Sequence, residues 1–212
     1  RTPEQIRQQL ADYYGLITHI DEGIGRMIDR LEELNLLENT IVVFTSDNGL
    51  AQGRHGLLGK QSLYEHATHV PLIFAGPGIP ANQKRKALVS LLDIYPTLCN
   101  LTGIQSRAKL DGKDLAPVIK GEQDSVRSHL FTIYWDFARA VRTQRWKLIT
   151  YPLIHHTQLF DLQKDPWELN NLAQHPEYRK KVDKMMEILK TSKKEADDYF
   201  PLFTEKKWPI EY

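Results

Sequence analysis

Asp47 and Asn48 are the residues of this sequence whose types and placement best suit chemistry. A carboxylate and an amide oxygen side by side are hard oxygen ligands of the kind that Ca²⁺ or Mg²⁺ binds. They directly follow a β-branched, apolar run at residues 40–45, and ligands of open α/β sheets collect just beyond the carboxyl ends of such strands. Because Asp-Asn-Gly is also common in turns without any function, these residues alone leave a metal site and a plain turn both open.

Helices and buried strands alternate around this pair. Apolar residues recur at steps of three and four from residue 3 to about residue 37, which predicts a long amphipathic helix. The runs at residues 40–45 and 70–75 are typical of strands buried on both faces, as in a parallel sheet. Residues 90–101 predict a strand end that turns into a helix. This alternation favours an α/β sandwich built on a largely parallel sheet.

The pattern changes after about residue 114. Four short strands with tight connections are predicted, at residues 130–135, 139–143, 146–151 and 158–162. Residues 176–194 then carry apolar residues at helical spacing. We therefore expect two domains: residues 1–113, the α/β domain with the Asp47-Asn48 loop, and residues 114–212, a small α+β subdomain. The subdomain is expected to be a four-stranded antiparallel sheet with a helix packed on one face.

The composition argues against several classes of protein. The chain has 28 basic and 27 acidic residues and a formal net charge of +1, so no bulk electrostatic attraction favours nucleic acid as a partner. Cys99 is the single cysteine, and no internal disulfide can form. No apolar stretch reaches the roughly 18 residues expected of a membrane span. No signal segment opens the chain, whose first residues read like the entry to a helix within a longer protein.

Six ordered blocks of the sequence resemble the sulfatase family, and together they extend over nearly the whole chain. The first three surround Asp47 and Asn48: residues 13–25, then 46–60 with His55-Gly56 and Lys60, then 62–78 with Tyr64-Glu65 and Val70-Pro71. The last three are residues 89–98, 139–162 and 165–173. Each block alone would be a weak signal, but their order and number make the resemblance specific.

The resemblance implies an alkaline-phosphatase-like sandwich, of which this chain is the C-terminal portion, and a sulfuric ester hydrolase activity. It implies that Asp47 and Asn48 bind Ca²⁺ or Mg²⁺ and that Lys60 contacts the sulfate. His55 would either hydrogen-bond to the leaving oxygen or brace the loop. The family nucleophile is a formylglycine made from Cys or Ser within Cys-x-Pro/Ala-x-Arg, and Cys99 has no such sequence after it. We therefore expect the formylglycine and the other metal ligands in an N-terminal half outside this chain.

The resemblance also implies the partners: a sulfate-ester small molecule or a sulfated glycan, and the missing N-terminal half of the same protein. His155 and Trp135 lie between strands of the subdomain, which in this family often reaches over the pocket. Each is either a solvated hairpin residue or a substrate contact. An exported (periplasmic or secreted) or lysosomal setting is the family norm.

Two other functions remain open at this stage. A phosphoric or phosphonate ester hydrolase of the same superfamily binds a tetrahedral anion of the same geometry, and the nucleophile that would discriminate lies outside this chain. A non-catalytic scaffold or binding module is the third reading. The retention of Asp47, Asn48 and Lys60 together counts against it.

Overall fold

The computed structural model describes residues 2–106 and 109–203. Two compact units account for the chain: Arg1–Lys60 with His69–Gln83, and Gln61–Thr68 with Lys84–Tyr212. The domain boundary at residues 113 and 114 remains a prediction.

The first unit begins with a long helix, α1 (Pro3–Glu33). Thr2 forms a capping box with Gln5, and Pro3 occupies the first helical turn, where its missing N–H costs nothing. The apolar stripe that predicted the helix stays exposed, with Leu16 at 62% and Met27 at 69%. This stripe is therefore not covered by the residues that the structure describes.

The two strands of the first unit, β1 (Val42–Thr45) and β2 (Leu72–Ala75), pair with each other. The prediction was parallel strands buried on both faces, and here the structure differs. The pair is antiparallel, with Val42 opposite Ala75, and Ile73 is 55% exposed. A β-branched run indicates a strand, but it gives neither the direction of the neighbouring strand nor which residues will cover its faces.

Three short helices open the second unit: α2 (Glu65–Thr68), α3 (Ile94–Thr102) and α4 (Ala116–Lys120). Asp93 precedes α3 and is fully buried, and both its oxygens accept hydrogen bonds from Arg127. Burial alone would raise the pKa of Asp93, but the hydrogen bonds from Arg127 and from the backbone amides of Lys113 and Ser90 lower it. This carboxylate therefore ties the start of α3 to two distant segments.

The second unit continues as an antiparallel meander of four strands and a helix. Its elements are β3 (Leu130–Tyr134), β4 (Ala138–Arg142), β5 (Trp146–Tyr151), β6 (His156–Asp161) and α5 (Arg179–Glu195). The strands hydrogen-bond in sequence order. One face carries Val141, Leu148 and Leu159, which pack against Met185 and Leu189 of α5. This confirms the predicted four-stranded sheet with a packed helix.

Candidate functional site

The predicted metal pair lies directly after β1. Asp47 Oδ1 accepts a hydrogen bond from the backbone N–H of Asn48 at 2.9 Å, and the Ser46 hydroxyl donates to the Asn48 carbonyl at 2.8 Å. The Asn48 Nδ2 atom donates to the Gly49 carbonyl at 3.0 Å. Since the amide nitrogen is held in this way, the side-chain oxygen of Asn48 is oriented away from its own backbone and toward other groups.

Lys60 meets that oxygen. Its Nζ atom donates to Asn48 Oδ1 at 3.1 Å, although twelve residues separate the two in the sequence. The intervening loop closes on itself, because Ala51 N donates to the Gly59 carbonyl at 3.0 Å and Gly53 N donates to the Leu57 carbonyl at 2.8 Å. The closed loop returns the chain to the end of β1. It brings Lys60 beside Asp47 and Asn48, the predicted metal ligands.

His55 lies in the same loop, which has an unusual backbone. Gln52, Gly53, His55 and Gly56 all have positive φ, and His55 has φ 52° and ψ 23°. Left-handed conformations in residues other than glycine are uncommon, and clusters of them occur at functional sites because the surrounding structure must hold them. The first unit thus brings Asp47, Asn48 and Lys60 together, with His55 in the loop that joins them.

The donor set fits part of the coordination shell of a hard cation. Asp47 and Asn48 offer a carboxylate and an amide oxygen, whereas Ca²⁺ takes six to eight oxygens. Within residues 2–106 and 109–203, no group of three or more His, Cys, Asp or Glu side chains could hold a metal ion. The pair therefore requires further oxygen ligands, from solvent, a substrate or other residues.

The predicted substrate contacts belong to the second unit and occupy two hairpin turns. Trp135 lies between β3 and β4, with φ 43° and 77% exposure, and His155 lies between β5 and β6, with φ 52°. In an antiparallel meander these two turns fall at the same end of the sheet. The His155 ring stacks on Phe203, with ring centroids 6.0 Å apart.

The second unit contains a buried charge cluster that was not predicted from the sequence. Lys147 is 2% exposed, and its Nζ lies 3.0 Å from Glu65 Oε1 and 2.9 Å from Glu168 Oε1. The contact to Glu168 Oε1 is an ion pair by distance, without the geometry of a hydrogen bond. The Oε2 atom of Glu168 accepts from the backbone N–H of Glu65, the first residue of α2, at 2.6 Å. Burial raises the pKa of Glu168, and the charge of Lys147 opposes that rise.

A signal for this cluster was present in the strands. Arg142 and Lys147 are directly opposite each other on β4 and β5. Two cations inside buried strands require acidic partners, because an unpaired buried charge is costly. Arg142 reaches Glu65 Oε2 at 3.4 Å. The sequence alone did not identify these partners, since Glu65 lies 82 residues from Lys147.

Comparison with known proteins identifies the family of the chain. Residues 53–195 match the family described as N-sulphoglucosamine sulphohydrolase, C-terminal, and residues 1–104 match the family described as sulfatase. Arylsulfatase K of Bos taurus is 37% identical over 200 residues, which covers 87% of this chain and 37% of that protein.

Two solved structures are also similar. One is a protein in complex with its substrate D-glucosamine-2-N,6-O-disulfate, with 31% identity, a TM-score of 0.87 and coverage of 94% of this chain and 43% of that one. The other is the phosphonate monoester hydrolase of Agrobacterium radiobacter, with 29% identity, a TM-score of 0.79 and coverage of 92% and 43%. These likenesses confirm the predicted fold class.

The chain covers only part of the length of the proteins that it matches. The chain spans 37% of the length of the arylsulfatase K that it matches. No described helix is long and apolar enough to cross a membrane. Sulfatases as a family use a metal ion and a formylglycine, and the matched C-terminal profile confirms which part of the family fold this chain forms. This chain belongs to the sulfatase family and corresponds to its C-terminal portion.

Proposed function

We propose that this chain is part of a sulfuric ester hydrolase and supplies one side of its sulfate and metal site. The observation that carries the proposal is the 3.1 Å contact between Lys60 Nζ and Asn48 Oδ1, beside Asp47. This contact supports a positive charge beside two hard oxygen donors. Such a combination suits a tetrahedral anion whose oxygens face both an ammonium group and a divalent cation.

Each residue has a defined role in this proposal. Asp47 and Asn48 would hold Ca²⁺ or Mg²⁺, because both donors are oxygens. A bound divalent cation would act as a Lewis acid that polarises the sulfate. Lys60 would bind a sulfate oxygen and stabilise the negative charge that develops there. His55 would hydrogen-bond to the leaving oxygen or stabilise the backbone conformation of the loop. The formylglycine nucleophile would come from residues outside this chain.

The organic part of the ester is a second element of the proposal. Trp135 offers an exposed aromatic face and His155 an imidazole at the same end of the sheet, and both suit a sugar ring with hydroxyl groups. One similar structure holds a disulfated glucosamine, and one matching family is named for N-sulphoglucosamine. We therefore propose a sulfated amino sugar or glycan as the substrate class. We also propose an exported or lysosomal setting, which family membership supports and which locating the full-length protein in fractionated cells would test.

A phosphonate monoester hydrolase is the second candidate, because one of the similar structures has that activity. The two functions separate in one assay on the full-length protein. 4-Nitrophenyl sulfate and 4-nitrophenyl phenylphosphonate share the same leaving group, so the ratio of their kcat/KM values reports on the transferred group. We expect the sulfate ester to be the better substrate, with activity lost on chelation and restored by Ca²⁺. A preference for the phosphonate would overturn the proposal, and no turnover of either ester or of a sulfated glucosamine would favour the non-catalytic module.

A further inference from the structure

Trp135 has a conformation that must be held by its surroundings. It is a bulky residue with φ 43°, in the turn between β3 and β4, and its side chain is 77% exposed. Positive φ is strained for such a residue and persists only where other contacts determine the backbone. Because the exposed indole gains little from packing, the stabilising contacts must act on the backbone of the turn.

Arg139 supplies such a contact. Its Nη1 atom donates to the carbonyl of Trp135, and its side chain is 3% exposed. The Nε and Nη2 atoms, on another edge of the same guanidinium group, donate to Oδ2 and Oδ1 of Asp198, both at 3.0 Å. The Arg139 guanidinium carbon also lies 4.7 Å from the centroid of the Phe200 ring. The planar fork cannot rotate toward other acceptors while Asp198 holds it.

Asp198 is itself fixed by the helix that precedes it. Lys193, near the end of α5, donates to Asp198 Oδ2 at 2.6 Å, to the Asp198 carbonyl at 2.7 Å and to the Phe200 carbonyl at 2.6 Å. Burial alone would raise the pKa of Asp198, but the hydrogen bonds from Arg139 and Lys193 lower it to about 2. The carboxylate is therefore ionised, and it joins α5 to the hairpin turn through charged hydrogen bonds.

We propose that Asp198 is a positioning residue that sets the orientation of Trp135 through Arg139. In this arrangement the segment after α5 serves substrate recognition without touching the substrate. The sugar-binding part of this inference rests on the proposed function above, whereas the positioning part does not. Loss of the Asp198 charge should release the fork, let the β3–β4 turn relax and weaken binding of the organic part of the ester.

The chain offers a matched control at the opposite end of the sheet. Asp161 at the end of β6 receives a bidentate pair of hydrogen bonds from Arg145, at 2.9 and 2.7 Å. Its side chain is 4% exposed, against 7% for Asp198. Arg145 lies in the β4–β5 turn, so this pair is far along the strands from Trp135. Asp161→Asn therefore removes a comparably buried carboxylate charge and should leave the β3–β4 turn unaffected.

The test uses the full-length protein labelled with 5-fluorotryptophan, with the Trp135 resonance assigned by Trp135→Phe. We expect Asp198→Asn to shift or broaden that fluorine resonance, and Asp161→Asn to leave it in place. An unchanged resonance in Asp198→Asn would overturn the positioning role, whatever the enzyme's activity.

Kinetics on a sulfated glucosamine substrate test the consequence. Asp198→Asn should raise KM about threefold to tenfold, the range expected for one lost aromatic contact, with kcat little changed. Because Asp198 acts through Trp135, the double variant Asp198→Asn/Trp135→Ala should have the KM of Trp135→Ala alone. Effects that multiply in the double variant would refute the coupling. Wild-type protein that fails to turn over any sulfate ester would instead refute the proposed function, and the fluorine result would still decide the positioning role.

Discussion

Replacement of Lys147 by Met should strongly destabilise the sheet of the second unit. Methionine keeps most of the side-chain volume but removes the ammonium group that lies 3.0 Å from Glu65 and 2.9 Å from Glu168. At an effective dielectric constant of about 20, each contact is worth roughly 5 kcal/mol before desolvation is subtracted. Removal of one member of a buried ion pair typically costs about 3–5 kcal/mol, because the partner remains buried without its counter-charge. We expect a loss in that range.

The loss should depend on pH, with a sign fixed by Glu168. Burial raises the pKa of Glu168 in the folded protein, and Lys147 opposes this rise, so the Lys147→Met variant should have a still higher pKa there. A carboxyl whose folded pKa lies above its unfolded value favours folding at low pH, and this contribution is lost as the pH rises through the folded pKa. The Lys147→Met variant should therefore be least stable near neutrality and should recover in mild acid.

Amide hydrogen exchange of β4 and β5 measures this loss locally, without requiring the whole protein to unfold in one step. Glu168→Gln in the Lys147→Met background should restore part of the protection, since it removes an unpaired buried charge. Lys190→Met is the matched control, because Lys190 pairs with Glu187 at 2.7 Å on an exposed face of α5. Such surface pairs contribute about 0–1 kcal/mol. Equal protection in Lys147→Met and Lys190→Met would refute the reasoning.

Three further predictions follow from other parts of the chain. Gly112→Ala should lower the melting temperature in differential scanning calorimetry, because the added Cβ would lie 2.0 Å from the Leu92 carbonyl oxygen. The control is Gly25→Ala in α1, whose added Cβ meets nothing within 4 Å and which should be neutral or stabilising. Because the pKa of Asp198 is lowered to about 2, its ionised form adds about 2–3 kcal/mol to the free energy of unfolding above pH 4. This contribution is lost as the pH falls toward 2, so thermal unfolding of Asp198→Asn should lack that acid dependence. Titration calorimetry of this chain with Ca²⁺ should show weak binding or none, since Asp47 and its neighbour supply only part of a shell; submicromolar binding would contradict the incomplete site.

Local patterns were enough to predict most elements of the fold. The strands predicted at residues 130–135 and 146–151 form at Leu130–Tyr134 and Trp146–Tyr151, because apolar runs bounded by turn residues define a short strand locally. The antiparallel pairing of β1 with β2 was not predicted, since periodicity carries no information on the partner. The short helix α4 was also missed, because five residues give too little periodicity.

Some residues of the candidate site could likewise be predicted from the sequence, and other contacts could not. Asp47 and Asn48 were predicted from their residue types directly after a β-branched run, and Lys60 from the resemblance to sulfatases. The closed loop then accounts for the 3.1 Å contact between Lys60 Nζ and Asn48 Oδ1. The contact between Asp198 and Arg139 could not be predicted, because the two lie 59 residues apart and nothing in either local sequence indicates the pairing. Charged clusters assembled from distant segments require the tertiary structure.

The rate of Lys60 variants in the full-length protein tests the central claim most directly. Loss of one positively charged donor to a developing oxyanion typically lowers kcat by about 10²–10³. Lys60→Ala should show such a loss for a sulfate ester with little change in melting temperature, because Lys60 is exposed. Lys60→Arg should recover only part of it, since a planar fork does not replace a compact ammonium. Lys180→Ala, at an exposed position of α5, should keep the wild-type rate. If Lys60→Ala changes kcat by less than about threefold, Lys60 does not belong to the sulfate site, and the account built on its contact with Asn48 is wrong.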